Sequence, residues 1–259
     1  MTENISARFF TNMTTALVVL FLIFPVFAES DLTIEQLSKM IDEDEQNSEL
    51  YIKRGEIYFQ QRDFFDAVED YSTAIELDPE ADQAYFGRGL ALARQGLIAD
   101  GIADLSIFIK RNPESSLAYT KRGVRYMWKE DYPNAEKDLK KALELDPRNA
   151  EAHDDLGVIF ARKQDFEKAV AHFTATIRIE PNYQKGYHNL ALSLYIIGQD
   201  NEALSMVNQS LELNPNHKDS MLLKSKIFQA LGRNEEAVLL VEEAEFLPET
   251  NWSESVPVQ

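Results

Sequence analysis

The chain of 259 residues contains no cysteine, so disulfides, thiolate metal sites and a cysteine nucleophile are all excluded. Basic residues are few: 26 Lys and Arg stand against 44 Asp and Glu, a formal net charge of -18. A nucleic-acid binder needs a basic face to displace counterions, and this balance argues against that class. Histidine is rare, and His153, His172, His188 and His217 make neither HExxH nor a pair at i, i+4 suited to zinc. There is no phosphate-cradling glycine loop and no GxSxG. The carboxylates of Asp154 and Asp155 are adjacent, but neighbouring residues of a helix point about 100° apart, which suits a catalytic dyad poorly. No enzyme, metal site or cofactor site emerges. The apolar fraction of 44% and charged fraction of 27% argue against both wholesale disorder and a protein of many membrane spans.

One long apolar run is present, at residues 16–28, without a charge. Arg8 precedes it, and Val26 and Ala28 supply the small residues of a cleavage site. This is the layout of a secretory signal peptide (1–28) cut after Ala28. As a helix the run would span roughly 20 Å, short of the ~30 Å core of a bilayer, and Pro25 would break it. An uncleaved anchor is the alternative. The absence of cysteine leaves no acylation site for a bacterial lipoprotein. The expected mature chain is extracytoplasmic, periplasmic or secreted, with no stable membrane span.

The remainder is periodic. Pro79, Pro113, Pro147, Pro181 and Pro215 are each 34 residues apart. Gly55, Gly89, Gly123 and Gly157 share that period, and Ala191 and Ser225 continue their series with small residues. Twelve residues later comes a second small series: Ala67, Gly101, Ala135, Ala169, Ala203 and Ala237. Four residues before the first series stand Tyr51, Tyr85, Tyr119, His153, Tyr187 and Met221. Small residues facing each other let two helices approach within about 8–10 Å, and proline ends a helix. Between these marks the apolar residues keep helical spacing, as in Ala67, Tyr71, Ala74 and Ile75. Gly96, Gly198 and Gly232 suit a left-handed turn inside a unit, while Asp63, Asp131 and Asp165 suit the start of a second helix.

This pattern resembles the tetratricopeptide repeat, a helix-turn-helix of 34 residues. The resemblance covers residues 48–251 as six units, 48–81, 82–115, 116–149, 150–183, 184–217 and 218–251. It implies an all-α fold, a right-handed superhelix of stacked helix pairs. Residues 29–47, with Leu32, Ile34, Leu37, Met40 and Ile41, read as an acidic capping helix, and 252–259 as a flexible tail. Net charges of -6 over 29–47 and -7 over 235–259 fit polar caps at the two ends of an array; an acidic patch for a basic partner is the alternative.

Repeat positions 7 and 23 covary within the chain. Arg54, Arg88 and Arg122 occur with Asp70, Asp104 and Asp138, whereas Leu156 and Leu190 occur with His172 and Met206. The covariation predicts an ion pair between the two helices in each of the first three units. Lys224, facing Leu240, is expected to snorkel to water.

What the resemblance implies about function is a binding surface. The first helix of each unit lines a concave face, through positions 2, 5, 6, 9, 12 and 13. Here those positions include Phe59, Phe86, Leu90, Arg94, Trp128, Asp154, Arg162, His188, Asn189, Tyr195 and Ile196. The family's carboxylate clamp is absent, since Ile52, Glu56, Gly87, Leu117 and Lys121 occupy its places. Packing against a neighbouring unit is the plainer role for Phe59, Phe86 and Ile196, and for His153, which stands where other units have tyrosine. Trp128 and Tyr195, each with a polar handle, are the stronger candidates for contact with a partner. The expected function is a non-catalytic adaptor that binds a protein or peptide partner in its groove. The alternative is a structural subunit, or a homo-oligomer, assembled through the convex face or the array ends.

Overall fold

Proline punctuation and paired small residues translate directly into helices. A computed structural model describes residues 32–248, in which there are thirteen α-helices and no strand. The expected signal peptide, its cleavage point and the expected tail lie outside the described residues, as do 29–31 and 249–251. Helix α1 (Ile34–Glu43) comes first. Six helix pairs follow: α2 (Ser48–Gln60) with α3 (Phe64–Leu77), α4 (Asp82–Arg94) with α5 (Ile98–Arg111), and α6 (Ser116–Trp128) with α7 (Tyr132–Leu145). The others are α8 (Ala150–Arg162) with α9 (Phe166–Ile179), α10 (Gln184–Ile196) with α11 (Asp200–Leu213), and α12 (Lys218–Ala230) with α13 (Asn234–Glu245). All five periodic prolines fall in the links between one pair and the next, and Pro133 sits in the first turn of α7, where its missing N–H costs nothing.

The turn within each pair has one conformation throughout. Its middle residue is left-handed in all six: Gly96, Gly198 and Gly232, and also Arg62 (φ 68°), Glu130 (φ 61°) and Gln164 (φ 61°). Sequence assigned that geometry to the glycines alone. The structure shows that three non-glycine residues accept it as well, because the next helix must start at the same place. Asp131 and Asp165 cap α7 and α9 by accepting from the backbone N–H of Asn134 and Lys168. Asp63 precedes α3 but makes no such bond.

Within a pair the helices meet at the small residues. A Cβ on Gly101 would lie 2.5 Å from the carbonyl oxygen of Gly89, so α4 and α5 touch backbone to backbone. In other pairs a ring fills the space instead; Phe173 covers Gly157. First helices of successive pairs touch one another, α2 with α4 through to α10 with α12, whereas no two second helices do. The first helices therefore lie on the inside of the curve, and the whole is an α-helical repeat superhelix. Its continuous apolar core runs through Leu139, Leu156, Phe173, Leu190, Val207 and Ile227.

The three ion pairs are present and bidentate. Arg54 reaches Asp70 at 2.7 and 2.8 Å, Arg88 reaches Asp104 at 2.7 and 3.0 Å, and Arg122 reaches Asp138 at 2.7 and 2.8 Å. Each arginine also donates to a serine of the preceding unit: Ser38 on α1, Ser72 on α3 and Ser106 on α5. These serines share the period of 34, a signal that pairwise reading overlooked. The bridge ties each pair to its neighbour, and through Ser38 it brings α1 into register as the second half of an incomplete unit. Lys224 is partly exposed, and its ammonium sits 5.5 Å from the centroid of the Phe228 ring.

Two consequences can be measured by chemical unfolding. Asp104→Ala strands a half-buried guanidinium and should cost about 3–5 kcal/mol. Glu130→Gly should add about 0.5–1 kcal/mol, because it relieves a left-handed residue and gives back part of that gain as chain entropy. The matching change Gly96→Ala should destabilise.

Candidate functional site

The groove side of the first helices is built from a few repeated positions. Position 13, the last residue of each first helix, reads Arg94, Trp128 and Arg162 over three successive units. The guanidinium of Arg94 lies 5.3 Å from the Trp128 ring, and that of Arg125, 5% exposed, lies 4.7 Å from it. Arg162 lies 5.4 Å from the ring of Tyr132, at the start of α7. Each cation thus sits against an aromatic face, an attraction that strengthens where water is excluded.

Between α6, α8 and α10, Trp128, Tyr132 and Arg162 border an open pocket of about 420 Å³. Its wall includes Trp128, Tyr132, Asp155, Arg162, Lys185 and Asn189, with an edge of His188. The two adjacent aspartates divide their roles. Asp154 is 1% exposed and saturated: it accepts from Lys185 Nζ at 2.9 Å, Asn189 Nδ2 at 3.1 Å and the Tyr183 hydroxyl at 3.3 Å. Asp155 lines the pocket, yet its Oδ2 is closed off from water without a hydrogen-bond partner. Burial, and after it the charge of Asp154, push the Asp155 carboxyl up to about 8. Burial would lower Lys185, but Asp154 and Asp155 more than offset it, and its ammonium is held above the ordinary lysine value. Arg125 is pulled down to about 10 by burial and then by Arg94, and its Nε has no partner.

Of the residues singled out by sequence, Trp128, Arg162, His188 and Asn189 meet at this pocket, and Arg94 adjoins it through Trp128. Asp154 is a correction. It is buried beneath the wall and positions Lys185 and Asn189 rather than facing a partner. His188 is a second. It is 9% exposed, its Nδ1 is 2.9 Å from the Ser220 hydroxyl, and burial lowers it to about 4. Phe59 packs edge-on against Phe64, and Phe86 against Phe108. Leu90 and Tyr195 are partly buried and lie outside the pocket, and Ile196 is exposed. His153 has a packing partner in His172, the two Nδ1 atoms lying 3.0 Å apart. Asp155 and Lys185 stand at positions 6 and 2, both groove positions, so the periodic grid could have found them. Tyr132 lies off that grid. Among the described residues no cluster of three or more His, Asp or Glu could hold a metal ion, and no helix is long and apolar enough to cross a membrane.

Three family models match in succession: TPR repeat over residues 55–96, and tetratricopeptide repeat over 120–183 and 184–217. The chain belongs to the tetratricopeptide repeat family. This TPR chain has solved relatives in fold. PilF of Pseudomonas aeruginosa is 16% identical with a TM-score of 0.70, over 79% of this chain and 92% of that one. YrrB, described as a TPR protein with an unusual peptide-binding site, is 21% identical with a TM-score of 0.56, over 73% and 97%. In the APC/C hetero-tetramer Cut9-Hcn1 the match is 18% identical with a TM-score of 0.66; it covers 80% of this chain but only 45% of the other, so this chain spans under half its length. No curated protein matches the chain.

The neutral histidines set an acid limit. Burial is the chief cause that lowers both His172 and His188 to about 4. A group depressed in the fold adds stability above its unfolded value of about 6.5, and that stability is lost as pH falls towards the folded value. Thermal unfolding should therefore drop steadily from pH 6.5 to 4, and less steeply in His188→Gln.

Proposed function

We propose that this TPR protein is a non-catalytic scaffold acting outside the cytoplasm, and that its concave face holds a segment of a partner protein. Family membership supports the broad role of protein-protein interaction. The finer role rests on the pocket between α6, α8 and α10. There an indole, a phenol, cations, an amide and an unsatisfied carboxyl converge on one open space. Aromatic and arginine side chains are the usual anchors of protein interfaces. The apolar run at 16–28 supports the extracytoplasmic setting.

A second reading, a subunit assembled through an array end, is favoured by Val238 and Leu239 on α13 and by Phe246 just after it, all exposed. Photocrosslinking separates the two. A probe replacing Trp128 should capture a discrete partner from native material, while one replacing the exposed Lys137 on the outer helix α7 should not. Capture of a second copy of the chain from a probe at Leu239, with nothing from Trp128, would favour the subunit.

A further inference from the structure

The pocket wall carries one polar atom that the folded chain leaves unsatisfied, Asp155 Oδ2, beside a cation without a carboxylate partner, Arg162. Among the described residues no hydrogen bond reaches Asp155 Oδ2, although burying a polar atom without one is costly. Arg125 Nε is a second buried donor without an acceptor. Arg125 and Arg162 have no carboxylate partner among the described residues, whereas Lys185 and Lys121 are paired with Asp154 and Glu151. Asp155 and Arg162 stand seven residues apart on α8, two turns along one face.

We propose that the pocket receives an acidic peptide segment, with a glutamate or aspartate carboxylate set against the Asp155 carboxyl and Arg162 supplying the positive charge beside it. The proposal rests on the groove reading above and names the chemistry of its partner. A cationic side chain would meet the Asp155 carboxyl, but in front of Arg162 and Lys185. A carboxylate meets donors instead. Burial keeps Asp155 neutral up to about pH 8, and a neutral carboxylic acid can donate a hydrogen bond to an anion. The groups facing Asp155 are Glu151, Asp154 and Arg162 on α8, Lys121 and Arg125 on α6, Lys185 and His188 on α10, and Tyr183 before it. His188, at about 4, and Lys185, raised above its ordinary value, do not titrate between pH 6 and 9. The chain's overall negative charge opposes an acidic peptide only at a distance, and about 0.15 M salt screens that beyond ~8 Å.

The test is fluorescence anisotropy of labelled hexaglutamate amide against the purified full chain at that salt, with hexalysine amide as the opposite probe. Hexaglutamate should bind saturably at pH 7 and weaken about tenfold per unit above pH 8, as the Asp155 proton is lost. Asp155→Asn, which keeps a neutral donor, should bind at pH 7 and lose the step above pH 8. Arg162→Glu, at an exposed site, should weaken binding tenfold or more. Saturable binding of hexalysine that strengthens with pH would overturn the proposal. So would hexaglutamate binding that neither variant alters, or no saturable hexaglutamate binding at all. If the Trp128 probe captures a partner through a segment without acidic residues, the groove reading stands and this one falls.

Discussion

Everything in this array depends on how closely the two helices of a unit approach. At Gly89 and Gly101 the backbones themselves are in contact, and a single methyl group at Gly101 would have to overlap a carbonyl oxygen. That distance fixes the height of each unit, and the short links carry the same height to the next. The left-handed turn follows from it. A chain that must reverse in three residues and start its next helix at a set place has little choice of conformation, and Arg62, Glu130 and Gln164 adopt it without glycine's freedom.

The interior of the array is not uniform along its length. In the first three units a serine, an arginine and an aspartate, each 16 residues from the next, stitch α1 to α7. At the fourth unit the same three places hold Lys140, Leu156 and His172. All three change together because a lysine in the serine's place would repel an arginine, and without the arginine an aspartate would be buried alone. The histidine takes a neutral partner, His153, and stacks on Phe160 at a centroid distance of 5.3 Å. Beyond it, Gln184, His188, Ser210, His217 and Ser220 share a neutral hydrogen-bond network across the last two units.

Most of the fold was legible because its determinants recur. A small residue or a proline that returns every 34 positions is read many times over, and the arginine-aspartate pairs were visible as a correlation inside one chain. The site was less legible, because it occurs once. Position in the repeat singled out Trp128 and Arg162, which border the pocket, but it picked Asp154 rather than Asp155, which lines it. Which of two adjacent aspartates is buried depends on where Lys185 and Asn189, 31 and 35 residues away, deliver their donors. Tyr132 enters from the first residue of the second helix α7, which the first-helix groove positions do not cover. His188 followed the grid, but its ring is drawn inward by Ser220, one unit further on.

The change from charged stitching to neutral networks also orders how the array comes apart. The first three units hold no histidine to protonate, whereas imidazole networks fail as soon as their nitrogens take up protons. In mild acid the last three units would therefore fray while the first three remained assembled. Backbone amides of α8 to α13 would exchange with solvent well before those of α2 to α7, although both halves are cut to the same helical template.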